Sequence, residues 1–124
     1  MTAFRMAARL AATLASEPDL TQLAGRFPPG LPQTPDSTAD LHQSLVQLSR
    51  CALIGNLTRN LALHMRAIHR LEQADETQAA LAIATRNGVI AALTAREGDQ
   101  AESLILKHHF GLNQHIQRTC AFLD

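Results

Sequence analysis

The apolar residues of this chain recur at spacings of three and four along most of its length, and no other feature restricts the possible folds as strongly. The pattern is clearest in LIGNLTRNLALHMRAIHRL, which places one helical stripe at Leu53, Leu57, Leu61, His64, Ile68 and Leu71. No window alternates with the period of two that a half-buried strand requires, and aromatic residues make up only 3% of the chain. The sequence therefore predicts an all-α protein.

Start and stop signals divide the first half of the chain into helices and one irregular segment. A first helix is predicted over residues 2–15, and a second begins at SEPD, where Ser16 and Asp19 can form a capping box. PPGLPQTPD holds four of the five prolines, so residues 28–35 are predicted to be irregular. STAD, residues 37–40, has the pattern of a second capping box and is predicted to open a third helix.

The second half of the chain predicts three longer helices. The stripe from Leu53 to Leu71 forms the fourth, and a fifth runs from EQADET to about residue 96 with Gly88 at a point of close packing. Asp99 and Glu102 in DQAE are predicted to cap the last helix, which ends near residue 122. About six helices joined mostly by short turns predict that residues 1–124 form a single domain, an antiparallel helical bundle.

Composition and charge exclude several classes of function. The 11 basic and 11 acidic residues balance and form no basic tract, so we expect this chain alone to bind no nucleic acid. No apolar run approaches the roughly 20 residues of a membrane span, so we expect no membrane partner. Cys51 and Cys120 suit neither a disulfide framework nor a zinc site and fit a reducing cytoplasm. Because no nucleophile motif is present, we expect no enzymatic activity.

The six histidines are the residues of most chemical interest. His42, His64 and His108 lie at or beside the apolar stripes of separate helices. His109 is turned about 100° from its neighbour and is expected to face solvent or a neighbouring subunit. Imidazoles brought together inside a bundle can build a metal site. Because no two histidines stand in HxxxH register, one convergent site and separately placed core and surface histidines both stay open.

Two segments resemble the FCD domain, the effector-binding C-terminal half of FadR-type regulators in the GntR family. LHQSLVQLSRCALI is similar to the family motif FHxxLxxxSxNxxL, with Leu41 in place of phenylalanine and Cys51 in place of asparagine. TRNGVIAALTAREGDQAESLILKHH resembles EHxxIxxAlxxxDxxxAxxxMxxH, and the corresponding residues are Val89, Ala92, Glu97, Ala101 and His108. RMAARLAATLAS is similar to the leading LExxAAxLAA pattern, so the resemblance covers nearly the whole chain in order.

The resemblance implies a homodimer that binds a small carboxylate, in many members beside a divalent metal held by an aspartate and three histidines. His42 and His108 retain two of these ligands, but Thr38 stands at the aspartate position and Arg86 at the middle histidine. Because a guanidinium does not deprotonate and repels a cation, we expect no cofactor, with zinc, nickel or manganese at His42 and His108 as the alternative. Arg86 can bind a carboxylate directly in a bidentate manner, or else be an exposed helix charge.

We therefore expect a cytoplasmic, ligand-sensing effector domain of a bacterial transcription regulator that binds a small carboxylate in the bundle interior. Its predicted site residues are His42, Arg86, His108, Thr38 and His64. A buried Arg86 is expected to pair with an anion or a protein carboxylate. The family's winged-helix DNA-binding domain is not part of this sequence, so either an isolated effector domain or a bundle with its own use is expected. Two alternatives are a metal-binding bundle or enzyme using His42 and His108, and a plain protein-interaction module.

Overall fold

The computed structural model describes residues 2–32, 34–59 and 62–120. Within these ranges the chain forms seven helices: α1 (Thr2–Leu14), α2 (Glu17–Arg26), α3 (Pro35–Leu48), α4 (Ala52–Arg59), α5 (Ala62–Gln73), α6 (Glu76–Thr94) and α7 (Gly98–Cys120). The described ranges contain no strand, and the helices pack on one another, which confirms the predicted all-α bundle. The predicted fourth helix is present as α4 and α5, between which residues 60 and 61 lie outside the described part.

The two predicted capping boxes in the first half had different outcomes. The box at α2 is confirmed, because the Ser16 hydroxyl accepts from the Asp19 amide at 3.2 Å and the Asp19 carboxylate accepts from the Ser16 amide at 3.3 Å. The box predicted at residues 37–40 is wrong, since α3 begins earlier. Its cap is Thr34, which exchanges the same pair of bonds with Ser37. Pro35 lies in the first turn of α3, where its fixed φ and missing amide hydrogen are tolerated.

Small residues allow α1 to approach its neighbours closely. Ala7, Ala8 and Ala11 have no exposed surface, and α1 packs against α3, α6 and α7. In α7, Ala101, Ile105 and Leu112 recur at helical spacing and are buried. Gly88 of α6 also confirms its predicted close packing, because a Cβ atom there would lie 3.1 Å from a methyl carbon of Leu104 in α7.

The predicted cap of the last helix is wrong in its details. Helix α7 begins at Gly98, so Asp99 already lies inside its first turn instead of preceding it. Both predicted capping carboxylates contact α1 instead, because Arg9 pairs with Asp99 and, at 3.0 Å, with Glu102. These acidic groups thus join the start of α7 to the exposed side of α1.

No helix in the described ranges is both long enough and apolar enough to cross a bilayer.

The N-terminal cap of α2 should contribute measurably to stability. We expect Ser16→Ala to lower the free energy of unfolding by about 1 kcal/mol, because the Asp19 amide loses the hydroxyl to which it donates. Urea denaturation followed by circular dichroism measures this change. Thr21→Ala is the matched control, since Thr21 is exposed in the same helix, and it should change stability by less than about 0.5 kcal/mol. Equal effects of the two variants would contradict the capping role.

Candidate functional site

A small cavity of about 30 Å³ lies where α3, α5, α6 and α7 meet. Its wall is apolar except for Thr85 and one group of ionisable side chains, which we call the histidine cavity residues: His42, His69, Glu72, Arg86, His108 and His109. A cavity of this volume holds about two water molecules or a single ion. Three predicted site residues, His42, Arg86 and His108, therefore lie on the wall of one cavity, whereas the side chains of Thr38 and His64 lie outside the described part.

Helix α5 contributes two buried polar residues that the sequence patterns did not predict. His69 and Glu72 are one turn apart and only 2% and 0% exposed. The predicted stripe ran instead through Ile68 and Leu71, but Leu71 is 44% exposed. The buried face of α5 is thus displaced by about one residue, or 100°, from the predicted stripe. The His–Glu spacing of three in HRLE was the available signal, because such a pair lies on one helix face.

Glu72 is a fully buried carboxylate held mainly by α7. Its Oε2 atom lies 2.7 Å from His108 Nε2, whereas its Oε1 atom is 3.8 Å from His69 Nδ1, beyond hydrogen-bond distance. Burial by itself would raise the pKa of Glu72, but the bond with His108 and the nearby His69 ring outweigh it and lower the pKa to about 2. Glu72 is therefore ionised at neutral pH, and the cavity contains a buried negative charge.

His42 and His109 lie beside this charge but remain neutral. The His42 ring stacks on Phe4 at 4.3 Å between centroids and lies 5.3 Å from the ring of His69 and 6.0 Å from that of His109. Burial, assisted by the neighbouring histidines, lowers the pKa of His42 well below its usual value. Burial also lowers the pKa of His109 to about 4. Both imidazoles can therefore offer a nitrogen lone pair at neutral pH.

His109 was expected to face solvent or a neighbouring subunit; the first alternative is wrong, and the second stays a prediction. His109 is only partly exposed, and it lines the cavity next to His108. The reason is that α7 packs against both α1 and α6, so residues on either flank of its apolar stripe are enclosed. A helical wheel with a single buried stripe does not represent a helix covered from two sides.

Several polar atoms around the cavity have no hydrogen-bond partner. Within the described part these buried atoms are His42 Nδ1, His69 Nδ1 and Nε2, Glu72 Oε1 and His109 Nδ1. Buried polar atoms are normally paired with protein groups or with water, and the residues that carry these atoms all line the same small cavity. As placed, no group of three His, Cys, Asp or Glu side chains in the described residues has metal-binding geometry.

Arg86 is buried, and most of its described contacts are with backbone carbonyls. It is 1% exposed, so the alternative of an exposed helix charge is wrong. Its guanidinium donates to the carbonyl oxygens of Leu31 at 2.8 Å and of Pro28 and Pro29 at 3.2 Å each. These acceptors are backbone carbonyls of the irregular segment, and Arg86 Nε also donates to Asn87 Oδ1 at 3.2 Å. The expected pairing of Arg86 with an anion or a protein carboxylate stays a prediction. Burial lowers the pKa of Arg86 from its usual value.

A larger cavity of about 410 Å³ lies on the other side of His42, between α1, α3, α4 and α5. We call it the arginine cavity because Arg59 and Arg66 line it. Phe4 and Val46 supply apolar surface, and the remaining wall includes the acidic Asp40 and the polar side chains of Gln43, Gln47 and Thr58. Its volume lies within the range of roughly 300–1,000 Å³ that is typical of small-molecule sites. His42 lines both cavities and separates them.

Comparison of the chain with protein families, with curated proteins and with solved structures yields no match. The FCD resemblance therefore rests on the motifs quoted above.

Proposed function

We propose that this chain is a non-enzymatic sensor domain that binds a small organic carboxylate in the arginine cavity. The observation that carries the proposal is a ligand-sized cavity with Arg59 and Arg66 on its wall. A guanidinium presents parallel N–H donors that match the two oxygens of a carboxylate. Phe4 and Val46 provide an apolar surface for the body of such a ligand. A cavity that combines apolar surface with a few polar groups is the usual form of a small-molecule site.

The proposal moves the ligand away from the position expected from the sequence. The histidine cavity, at about 30 Å³, is too small for a metabolite, and the guanidinium of Arg86 donates to backbone carbonyls. His42 remains part of the site because it lines the arginine cavity as well. The proposed effector is therefore still a small carboxylate, but the arginines that we propose to bind it are Arg59 and Arg66 and not Arg86.

The wider biological role follows the FCD resemblance and is part of the same proposal. We infer an effector domain of a transcription regulator that acts as a homodimer in a reducing cytoplasm. Exposed apolar side chains support the homodimer, because Leu53 and Leu57 of α4 and Phe110 of α7 are each more than half exposed. Free Cys51 is compatible with a reducing compartment.

Binding of small carboxylates tests the proposed function. We expect mono- and dicarboxylates to raise the melting temperature and to give a calorimetric binding signal, and their neutral amide analogues to give neither. Arg59→Ala and Arg66→Ala should each weaken binding at least about tenfold, because each removes a charge-assisted hydrogen bond. The assay is run in chelator, so its result does not depend on any metal.

Arg70→Ala is the matched control for these two variants. Arg70 is exposed on α5, as Arg66 is, but it does not line the arginine cavity. Its substitution should leave carboxylate affinity within about twofold of the unmodified protein, since a distant surface charge contributes little. Absence of binding to any carboxylate, or an equal loss in Arg70→Ala, would contradict the proposal.

A further inference from the structure

We propose that the ligand of the arginine cavity is an amino dicarboxylate, a molecule with two carboxylates and one protonated amine. Its carboxylates bind Arg59 and Arg66 and its amine binds Asp40, and all three residues line the cavity. This inference rests on the proposed function, because it names the chemical class of the ligand at the same site. It adds Asp40 as the residue that determines specificity.

The wall of the arginine cavity carries charges of both signs. Arg59 lies in the last turn of α4 and Arg66 lies on α5, whereas Asp40 lies on α3. Because the cavity lies between these helices, the positive and negative groups are on different walls. A ligand with carboxylates alone uses the two positive groups and leaves the role of Asp40 unexplained.

Asp40 belongs to a polar row on the cavity side of α3. Asp40, Gln43 and Gln47 are spaced by three and four residues, so they lie on one face of the helix. All three line the arginine cavity. The carboxylate is therefore one end of a polar wall and not an isolated surface charge.

The Asp40 carboxylate is available to a ligand. In the part of the chain that the structure describes, it forms no ion pair, although Asp19 and Asp99 each pair with an arginine. The hydrogen bond that Ser44 donates to Asp40, at 2.8 Å, ends on the backbone carbonyl and does not involve the carboxylate. A carboxylate in this position can accept a charge-assisted hydrogen bond from a protonated amine.

The size of the cavity brings every charge on its wall close to the ligand. A sphere of 410 Å³ is about 9 Å across, which is about one Debye length, so salt screens these charges only in part. A plain dicarboxylate is attracted by Arg59 and Arg66 but repelled by Asp40. A protonated amine on the ligand converts the repulsive contact into an attractive one. The two arginines and one aspartate of the wall then match the two carboxylates and one amine of the ligand.

Two series of ligands test this inference on the unmodified protein. Succinate, malate and aspartate share one carbon chain and differ in a single substituent, which is hydrogen, hydroxyl or protonated amine. Glutarate and glutamate form a second pair that is one methylene longer. In calorimetry with chelator, the amine-bearing member of at least one series should bind at least about tenfold more tightly than its amine-free counterpart, because it adds a charge-assisted hydrogen bond.

The outcomes separate this inference from the proposed function. If carboxylates bind but neither aspartate nor glutamate is preferred over its amine-free counterpart, this inference is overturned and the proposed function stands. If no carboxylate binds, both are overturned. The amide analogues asparagine and glutamine test the second carboxylate and should bind at least about tenfold more weakly than aspartate and glutamate. Equal affinity for the amide and the acid would contradict the assignment of two carboxylates.

Asp40→Asn distinguishes a ligand contact from a structural role. It should weaken binding of the preferred amino dicarboxylate at least about tenfold but leave binding of the amine-free counterpart unchanged or stronger, since attraction and repulsion are lost together. Equal losses for both ligands would show that Asp40 only supports the cavity wall, which overturns the inference. Glu76→Gln is the matched control, because Glu76 is an exposed carboxylate of α6 outside the cavity, and it should keep the full preference. Circular dichroism checks the folding of both variants.

Discussion

Replacing Arg86 by alanine should lower the free energy of unfolding by about 3–5 kcal/mol. The guanidinium is 1% exposed and donates to the carbonyls of Pro28, Pro29 and Leu31. These acceptors lie in a proline-rich segment that has few amide donors of its own: the Leu31 amide donates to Pro28, and the other donors come from α6. Alanine would remove this donor from all three carbonyls, although Pro28 keeps the amide of Leu31 and Pro29 keeps the side-chain amide of Asn87, and it would leave a cavity beside α6. Urea denaturation at neutral pH measures the change.

Two further substitutions identify the cause of this loss. Arg86→Lys keeps the positive charge but has no planar fork of donors, so it should recover only part of the lost stability. Arg70→Ala removes an exposed arginine and should change stability by less than about 0.5 kcal/mol. A loss below about 1 kcal/mol in Arg86→Ala would show that the irregular segment is held by other contacts.

Most of the fold could be predicted from local signals because those signals act within one helix turn. The capping box of Ser16 with Asp19 and the run of prolines from Pro28 both depend on neighbouring backbone atoms. The start of α3 was missed because two overlapping caps were available, and the one that includes Pro35 in the first turn formed. Competition between adjacent start signals involves small energy differences, which a pattern does not rank.

The face of α5 could not be predicted from the same periodicity. An apolar stripe assumes that apolar side chains define the buried side, yet His69 and Glu72 are buried and Leu71 is 44% exposed. The burial of these polar residues depends on each other and on His108, which is 36 residues from Glu72 in the chain. A contact of this kind becomes visible only once the helices have been placed.

The candidate site was therefore predictable only in part. His42 and His108 were identified because they lie beside apolar stripes and match a family motif, and both line the histidine cavity. The hydrogen-bond partners of Arg86 could not be predicted, because backbone carbonyls carry no sequence signal. The arginine cavity was missed as well, since Arg59 and Arg66 have the spacing of ordinary surface charges on helices.

In metal-free protein, His108→Ala should lower the free energy of unfolding at pH 7 by about 3–5 kcal/mol. The substitution removes the donor that lies 2.7 Å from Glu72 Oε2 and leaves an ionised carboxylate buried without that bond. If the loss arises from this orphaned charge, removing the carboxylate as well should restore part of it. The double variant His108→Ala, Glu72→Ala should therefore be more stable than the sum of the two single changes predicts, by about 1–3 kcal/mol.

The dependence of this loss on pH provides a second check on its origin. In the unmodified protein the pKa of Glu72 is about 2, below its usual 4.5. The contribution of ionised Glu72 to the free energy of unfolding is therefore complete above pH 4.5 and is lost only as the pH falls towards 2. Without His108, the pKa of Glu72 should be higher than in the unmodified protein, because burial raises this pKa and only His69 remains to lower it. The variant should therefore gain less stability than the unmodified protein as the pH rises from 4 to 7. The difference in the free energy of unfolding between the unmodified protein and His108→Ala should therefore become smaller from pH 7 to pH 4. Urea denaturation in the presence of chelator measures it. Two results together would show that His108 acts through packing and not through the charge of Glu72. The loss in the free energy of unfolding would be the same at both pH values, and the effects of the two single substitutions would add up to that of the double variant.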